Sequence, residues 1–213
     1  MTRVSVGRIR RWLRGYKFRT RKGEQHFSPA LWHGQLKAID HNYALGFLDL
    51  IEIRFVDAFL RKGVSWGIIR EAHSRGSKLF KTNHPFCTNK FFTCGREIFV
   101  EIHRETKEPS LLDIAHDQHV FGQIVRPFLE ELEFGENDQL LRWKPATKRG
   151  LVVLDPTRNF GRPIVTGHGV PTEVLARAAK ACDSVDEVAR WYEVPKAEIE
   201  DAMEFEHELA LAA

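Results

Sequence analysis

The spacing of apolar residues at the start of the chain predicts a helix, a β-hairpin and a second helix. Ser5 is a residue type that caps helices, and Gly15 is expected to end the first one. Aromatic and β-branched residues then surround a Lys-Gly turn over residues 16–27, as in a short hairpin. Ser28 and Pro29 are expected to begin the next helix. The apolar positions of the first helix follow helical spacing: Val6, Ile9, Trp12 and Leu13.

The middle of the chain predicts helices on either side of a β segment. Residues 49–62 carry a broad apolar face that ends at Gly63, and Ser65 is expected to cap a further helix. Over residues 83–102 the pattern favours β structure, whereas residues 111–132 favour a helix interrupted at a proline. The alternation that indicates strands rests on six apolar positions: Phe86, Phe91, Phe92, Ile98, Val100 and Ile102.

The last third predicts two short strands, a linker and a helical module. The strands are expected near residues 140–143 and 151–154, and prolines punctuate a linker over residues 155–170. Ser184 and Glu187 have the spacing of a capping box. Three helices are expected over residues 172–181, 184–192 and 195–209. Their predicted core comprises Val174, Leu175, Val185, Val188, Trp191, Tyr192, Ile199 and Met203.

These elements together predict a mainly α protein with short β elements. Its N-terminal region is expected to be a winged helix-turn-helix, followed by a mixed middle segment and a C-terminal three-helix module. The predicted boundaries are 1–80, 81–157 and 158–213.

Composition narrows the class of protein. Hydrophobic residues make up 43% of the 213 residues and charged residues 29%, so a globular core is expected. The apolar runs are far shorter than the roughly 20 residues that a membrane-spanning helix needs. Three cysteines at irregular spacing (Cys87, Cys94 and Cys182) favour a reducing cytoplasm over a disulfide framework.

The charge distribution indicates two different partners. Residues 168–213 contain eleven acidic and four basic residues, a formal balance of −7, although the whole chain carries +3. Residues 1–22 contain no acidic residue. A polyanion is therefore expected at the N-terminal end, the alternative being two solvated surfaces of opposite sign. The basic residues of the first 22 positions are Arg3, Arg8, Arg10, Arg11, Arg14, Lys17, Arg19, Arg21 and Lys22.

The N-terminal cations predict a DNA-binding surface. One face of the first helix is apolar, so the other face is free to present arginines to the major groove. The hairpin that follows has the composition of a wing lying along phosphates. The candidate DNA-binding residues are Arg8, Arg10, Arg11, Arg14, Lys17, Arg19, Arg21 and Lys22.

The same region resembles a known DNA-binding family. Residues 4–12, a hairpin, and then His26-Phe27-Ser28-Pro29 are similar to the MerR-type winged helix-turn-helix. The resemblance implies that residues 6–14 form a recognition helix and that a further helix precedes Val4. It also implies binding to operator DNA as a homodimer, because a two-fold symmetric site needs two recognition helices. The helix at residues 49–62 is the candidate dimer surface, unless its apolar face is intramolecular core.

A second resemblance covers the C-terminal region. Residues 161–172, 185–194 and 199–202 look like a bacterial domain long described as of unknown function and grouped with VapB-like antitoxins. Residues 50–56 with 63–65 are similar to longer antitoxins that place a MerR-like region ahead of this domain. One position departs, because the family usually has Thr-Arg where this chain has His168-Gly169.

The second resemblance implies an antitoxin that silences a PIN-like ribonuclease toxin encoded by a neighbouring gene. Such a toxin has a carboxylate-lined site, and Arg158 or Arg162 is expected to enter it. The alternative is that both arginines brace the linker against the domain's own acids. Trp191 and Tyr192 are further candidates for toxin contact.

The residues give little support to enzymatic chemistry. His84, Cys87 and Cys94 could supply three zinc ligands, but their spacing matches no strong zinc pattern, and buried thiols are common in apolar segments. No catalytic residue, metal or cofactor is predicted. Two alternatives to the antitoxin remain. One is a MerR-like transcriptional regulator without a toxin partner, and the other is a nucleic-acid-processing enzyme that uses the histidine-rich middle.

Overall fold

A computed structural model describes residues 2, 4–20, 22–36 and 44–211 of the chain. Contacts between these residues divide the chain into two units, Thr2–Pro127 and Phe128–Ala213. They are called the N-terminal unit and the C-terminal unit below. The boundary at residue 80 and that at residue 157 stay predictions.

The N-terminal unit begins with the predicted helix and hairpin. Ser5 caps the first helix, its Oγ accepting a hydrogen bond from the backbone N–H of Arg8 at 3.4 Å, and Gly15 ends the helix with φ of 73°. The elements of this unit are α1 (Val6–Arg14), β1 (Tyr16–Arg19), β2 (Gln25–Ser28), α2 (Phe47–Arg61), α3 (Trp66–Phe80), α4 (Asn89–Thr106), α5 (Leu112–His116) and α6 (Gln118–Glu131), which crosses the unit boundary.

A cluster of phenylalanines forms the core of the N-terminal unit. The rings of Phe86 and Phe91 lie 4.7 Å apart, and Phe59 lies 4.9 Å from Phe99. All four are fully buried, as are Ile51 and other apolar residues of α2. The apolar face of α2 is therefore intramolecular core, which is the second of the two interpretations that the sequence left open.

The β structure predicted for residues 83–102 is wrong. A short 3-10 turn at Pro85–Cys87 leads into α4, an 18-residue helix. Thr88 caps this helix, since its side chain accepts from the N–H of Phe91. The buried positions of α4 are Phe91, Gly95, Ile98, Phe99 and Ile102, which follow a helical period.

The helix predicted to begin at Ser28-Pro29 is also wrong for the described residues 28–36. Ser28 ends β2, and residues 29–36 are not helical. The guanidinium of Arg70 donates to the carbonyls of Ala30 and Pro29 at 3.1 and 2.7 Å. The N–H of Leu31 donates to the carbonyl of Trp12 at 2.7 Å. These long-range bonds use backbone groups that a helix would have paired locally.

The C-terminal unit packs a four-stranded antiparallel sheet against the predicted three helices. The elements are β3 (Leu132–Phe134), β4 (Leu140–Trp143), β5 (Val152–Leu154), β6 (Pro163–Val165), α7 (Thr172–Cys182), α8 (Val185–Tyr192) and α9 (Lys196–Leu211). The strand order in the sheet is β3-β4-β5-β6. Buried Asp201 of α9 accepts from the backbone N–H groups of Arg149 and Leu151 and so holds the β4–β5 connection.

Residues 155–170, which were predicted to be a linker, instead contain the last strand of this sheet, β6. Leu154 pairs with Pro163 and Val152 with Val165, so residues 155–162 are the loop of a β5–β6 hairpin. Pro163 is tolerated because β6 is an edge strand and the proline is its first residue. This hairpin loop, residues 155–162, is called the β5–β6 loop.

Candidate functional site

Side chains of α2 and α3 contact α1 within the N-terminal unit. The ring of Trp12, which is 4% exposed, stacks on Trp66 at the start of α3 with centroids 5.9 Å apart and planes 19° apart. Arg8 of α1 pairs with Asp57 of α2 at 3.3 Å, and Arg61 contacts the other oxygen of that carboxylate at 2.6 Å. Of the apolar positions of α1, Trp12 is thus buried, Ile9 and Leu13 are half-buried and Val6 is exposed.

The exposed surface of α1 carries candidate DNA-binding arginines. Arg10, Arg11 and Arg14 are exposed residues of this helix. Arg8 is also exposed, but it lies on the side of α1 that contacts α2, because it pairs with Asp57 and its guanidinium lies over Trp12. The guanidinium of Arg11 lies 5.6 Å from the ring centre of Tyr16 and so bridges α1 to the hairpin. A basic helix face of this kind matches the charge that a phosphate backbone requires.

The β1–β2 hairpin adds three exposed cations, Lys17, Arg19 and Lys22. Their neighbour Arg21 lies outside the described residues. Phe18 stacks on His26 across the hairpin at 5.7 Å, which fixes the strand pair without using the basic side chains. The cations of α1 and of the hairpin therefore lie in one unit. A single residue, Gly15, joins the two elements.

A buried polar cluster, which the sequence did not indicate, includes two acidic residues of α2. Asp49 and Glu52 are fully buried, and each meets a histidine: His84 Nε2 is 2.9 Å from Asp49, and His73 Nε2 is 3.2 Å from Glu52. Burial acts to raise the pKa of Asp49, but hydrogen bonds from His84, from two backbone N–H groups and from Trp32 outweigh it, so the net shift is downward. Asp49 and His84 satisfy each other within this cluster, whereas His73 Nε2 lies close to Glu52 without a hydrogen bond to it.

The three suggested zinc ligands are not brought together. His84 contacts Asp49, the thiol of Cys87 donates to Glu52 at 3.1 Å, and the thiol of Cys94 donates to the Lys90 carbonyl at 2.9 Å. Burial and the neighbouring Glu52 carboxylate raise the pKa of Cys87, which favours its neutral thiol. Among the residues that the structure describes, no group of three or more His, Cys, Asp or Glu side chains is arranged to hold a metal ion.

In the C-terminal unit, Asp155 anchors the β5–β6 loop. This residue is 2% exposed, and its carboxylate accepts from the N–H and hydroxyl of Thr157 and from Arg142 Nε, at 2.9, 2.6 and 2.9 Å. Burial acts to raise the pKa of Asp155, but these hydrogen bonds and the Arg142 charge outweigh it and the net shift is downward. The N–H of Arg158 donates to the Asp155 carbonyl, which continues the turn.

The anchored loop presents both candidate toxin-binding arginines. Arg158 and Arg162 are exposed, and within the described residues neither forms an ion pair with a carboxylate. The guanidinium of Arg158 lies over Gly169, in the space that a side chain there would enter. His168 next to it pairs with Glu198 at 3.0 Å.

The other two candidates lie at the end of α8. Trp191 is 64% exposed and Tyr192 38% exposed, so their predicted burial in the helical core is wrong, and the same holds for Val174 at 38%. The core of the three helices is instead formed by Leu175, Val188, Ile199 and smaller residues. Exposure leaves Trp191 and Tyr192 available for contact with a partner.

Phe160 lies between the two arginines and was not predicted from the sequence. Its side chain is 98% exposed, and its backbone has φ of 56° and ψ of 29° in the left-handed region. The available signal was a single large apolar residue inside an otherwise polar loop, followed by a glycine.

The described residues define a mainly helical protein with short strands. Residues 152–205, which run from β5 into α9, match a family described as "Protein of unknown function (DUF433)". No helix in the described ranges is both long and apolar enough to cross a membrane.

This chain is similar in sequence to a protein of Mycobacterium tuberculosis (strain ATCC 25618 / H37Rv) named "Putative antitoxin VapB45". The two are 26% identical over 170 residues, which cover 75% of this chain and 70% of that protein. It is also similar to the X-ray crystal structure of Rv2018 from Mycobacterium tuberculosis, with a TM-score of 0.61, 25% identity, and coverage of 75% of this chain and 78% of that one. The DUF433 match and the VapB45 similarity support a relationship to VapB-like antitoxins.

Proposed function

We propose that this protein is the antitoxin of a type II toxin–antitoxin pair. The observation that carries the proposal is the similarity to VapB45, which extends over three quarters of the chain, together with the DUF433 match in the C-terminal unit. In this role the C-terminal unit binds and neutralises a PIN-like ribonuclease toxin encoded by a neighbouring gene, and the protein has no enzymatic activity of its own.

The β5–β6 loop is the proposed point of toxin contact. Arg158 or Arg162 enters the carboxylate-lined site of the toxin, where a guanidinium would pair with acidic groups that otherwise hold metal ions. The alternative role, bracing the loop against the unit's own acids, is disfavoured because neither arginine forms an ion pair within the described residues. Exposed Trp191 and Tyr192 add apolar contact area at a second place in the unit.

Charge reversal tests this assignment. Arg158→Glu and Arg162→Glu should each abolish rescue of cells that express the toxin, because a carboxylate would be repelled from an acidic site. Arg177→Glu is the matched control, since Arg177 is an exposed arginine of the same unit that lies on α7 and pairs with Glu173. Rescue by all three variants would overturn the arginine assignment.

We further propose that the N-terminal unit binds operator DNA in the manner of a MerR-like winged helix-turn-helix. Here α1 is the recognition helix, the β1–β2 hairpin is the wing, and a homodimer engages a two-fold symmetric site. This proposal is supported by the exposed cations on α1 and the hairpin and by the burial of Trp12, which leaves the basic face of α1 outward. A gel-shift assay with DNA from upstream of the protein's own gene tests it.

The second candidate function is a MerR-like transcriptional regulator without a toxin partner. It is favoured by the helix and hairpin at the N-terminus, which require no toxin to act on DNA. Operator binding by a protein whose genetic neighbour is harmless and does not bind it would support this candidate over the antitoxin.

A further inference from the structure

Phe160 is the most exposed large apolar side chain in the part of the chain that the structure describes. Its 98% exposure compares with 76% for Leu211 near the C-terminus and 64% for Trp191. A phenylalanine held almost wholly in water gives no stability to its own fold, because it buries no apolar surface. Single exposed apolar residues are common on protein surfaces, so the backbone and the neighbours decide what this one means.

The backbone of the β5–β6 loop holds Phe160 in place. Asn159, Phe160 and Gly161 are consecutive left-handed residues, with φ of 44°, 56° and 73°. Left-handed backbone is disfavoured for a residue with a Cβ, and it persists where the surroundings impose it, often at functional sites. Here the surroundings are the bonds of Asp155 and the paired strands on both sides.

Charge shows what kind of surface the loop fits. Arg158 and Arg162 stand two residues before and two residues after Phe160, and no carboxylate of the described chain neutralises either of them. Along the loop, one exposed aromatic residue therefore stands between two arginines that form no ion pair within the described residues. Its complement is an apolar cleft whose rim carries carboxylates.

We propose that Phe160 is the apolar anchor of the toxin interface, inserting into a cleft of the toxin while the flanking arginines meet acidic groups around it. This inference rests on the proposed function, since it takes the toxin as the partner. A few central aromatic and arginine residues commonly supply most of the affinity of an interface. Because the loop is fixed before binding, little conformational entropy is lost when the anchor enters its cleft.

The test is the dissociation constant of the purified full-length protein with the toxin encoded beside it. Phe160→Ala should weaken binding by about 30-fold or more, the loss typical of an anchor residue. Phe160→Leu should recover part of that affinity, because it restores apolar volume. Leu211→Ala, which truncates another highly exposed apolar side chain of the same unit, should change affinity by less than about two-fold. Thermal unfolding of each variant should match the wild type.

Each other outcome has a definite meaning. Wild-type affinity for Phe160→Ala would overturn the anchor while leaving the antitoxin proposal intact. A change in self-association of Phe160→Ala, with toxin affinity preserved, would show that the loop binds a second copy of this chain and would also overturn it. Failure of the wild-type protein to bind the toxin at all would remove the proposed function and the anchor together.

Discussion

The guanidinium of Arg158 lies over Gly169, in the space where a Cβ atom of residue 169 would stand. The VapB-like resemblance has an arginine at this position, and here a guanidinium reaches it from the β5–β6 loop instead. A positively charged group is therefore kept beside Gly169 although the residue itself has no side chain. This relationship links the glycine to the proposed toxin contact.

Gly169→Ala should weaken toxin binding to a degree similar to Arg158→Ala. The new Cβ would displace the Arg158 guanidinium, and the backbone φ of 70° at residue 169 is unfavourable for alanine. Unfolding by urea should show a loss of about 1 kcal/mol from the backbone effect. Gly150→Ala is a useful control, because Gly150 also has a positive φ, of 67°, but no described atom lies within 4 Å of the place that its Cβ would take. Equal binding by wild type and Gly169→Ala would contradict the link.

Phe160→Gly should make the protein more stable while weakening its toxin binding. Glycine adopts φ of 56° without the penalty of about 1–2 kcal/mol that a residue with a Cβ incurs. Part of that gain is offset by the greater freedom of glycine in the unfolded chain, so we expect a net gain below about 1 kcal/mol. Urea unfolding of Phe160→Gly and Phe160→Ala gives the comparison. A glycine variant less stable than the alanine variant would contradict the strain at this position.

Local sequence patterns predicted many of the elements. The residues of α4 show why the β structure predicted for residues 83–102 was wrong. Phe92 and Val100 suggested a two-residue alternation, but both are only half-buried. The core of α4 uses Gly95 and Phe99, which complete a helical period with Phe91. A glycine carries no hydrophobic signal, so its place in the core was not evident from the sequence.

Contacts between residues that are distant in sequence explain why the helix predicted to begin at Ser28-Pro29 was wrong. The guanidinium of Arg70 donates hydrogen bonds to the carbonyls of Pro29 and Ala30, which lie about 40 residues earlier in the chain, and no local pattern encodes such bonds.

In the candidate site, Arg158 and Arg162 followed from the family resemblance. Phe160 did not, because its importance rests on exposure and backbone conformation that only the fold defines.

Acid should destabilise the C-terminal unit partly through Asp155. The folded pKa of Asp155 lies below its ordinary value of 3.8, because hydrogen bonds from Thr157 and Arg142 outweigh the opposing effect of burial. A depressed folded pKa adds stability above the unfolded pKa, and this stability is lost as pH falls through the folded pKa. We therefore expect no contribution to pH dependence between pH 7 and about 5 from this group, and a loss below about pH 4. Asp155→Asn should remove that part of the acid sensitivity, and urea unfolding at several pH values measures it.

Trp12→Ala should destabilise the N-terminal unit by about 3–5 kcal/mol, the cost of truncating a buried tryptophan. The substitution removes the stacking on Trp66 that holds α1, so operator binding should fall as well. Trp191→Ala is the matched control, because Trp191 is 64% exposed and its loss should cost less than about 0.5 kcal/mol. Equal unfolding free energies for the two variants would contradict the packing of α1.

Operator binding should depend steeply on salt. If about six cations contact phosphates, log affinity should fall against log salt with a slope near −5. Lys17→Ala combined with Arg19→Ala should reduce the slope by about 2, since each lost phosphate contact removes about 0.9. Lys148→Ala combined with Lys180→Ala, which removes two exposed lysines of the C-terminal unit, should leave it unchanged. A slope near zero for the wild type would contradict phosphate contact by α1 and the hairpin.

The most direct test of the antitoxin proposal is co-expression with the protein encoded by the neighbouring gene. We predict that the neighbour alone arrests growth, that co-expression restores growth, and that the two proteins purify as a stable complex. A neighbour that is harmless when expressed alone, or that forms no complex with this protein, would contradict the antitoxin proposal.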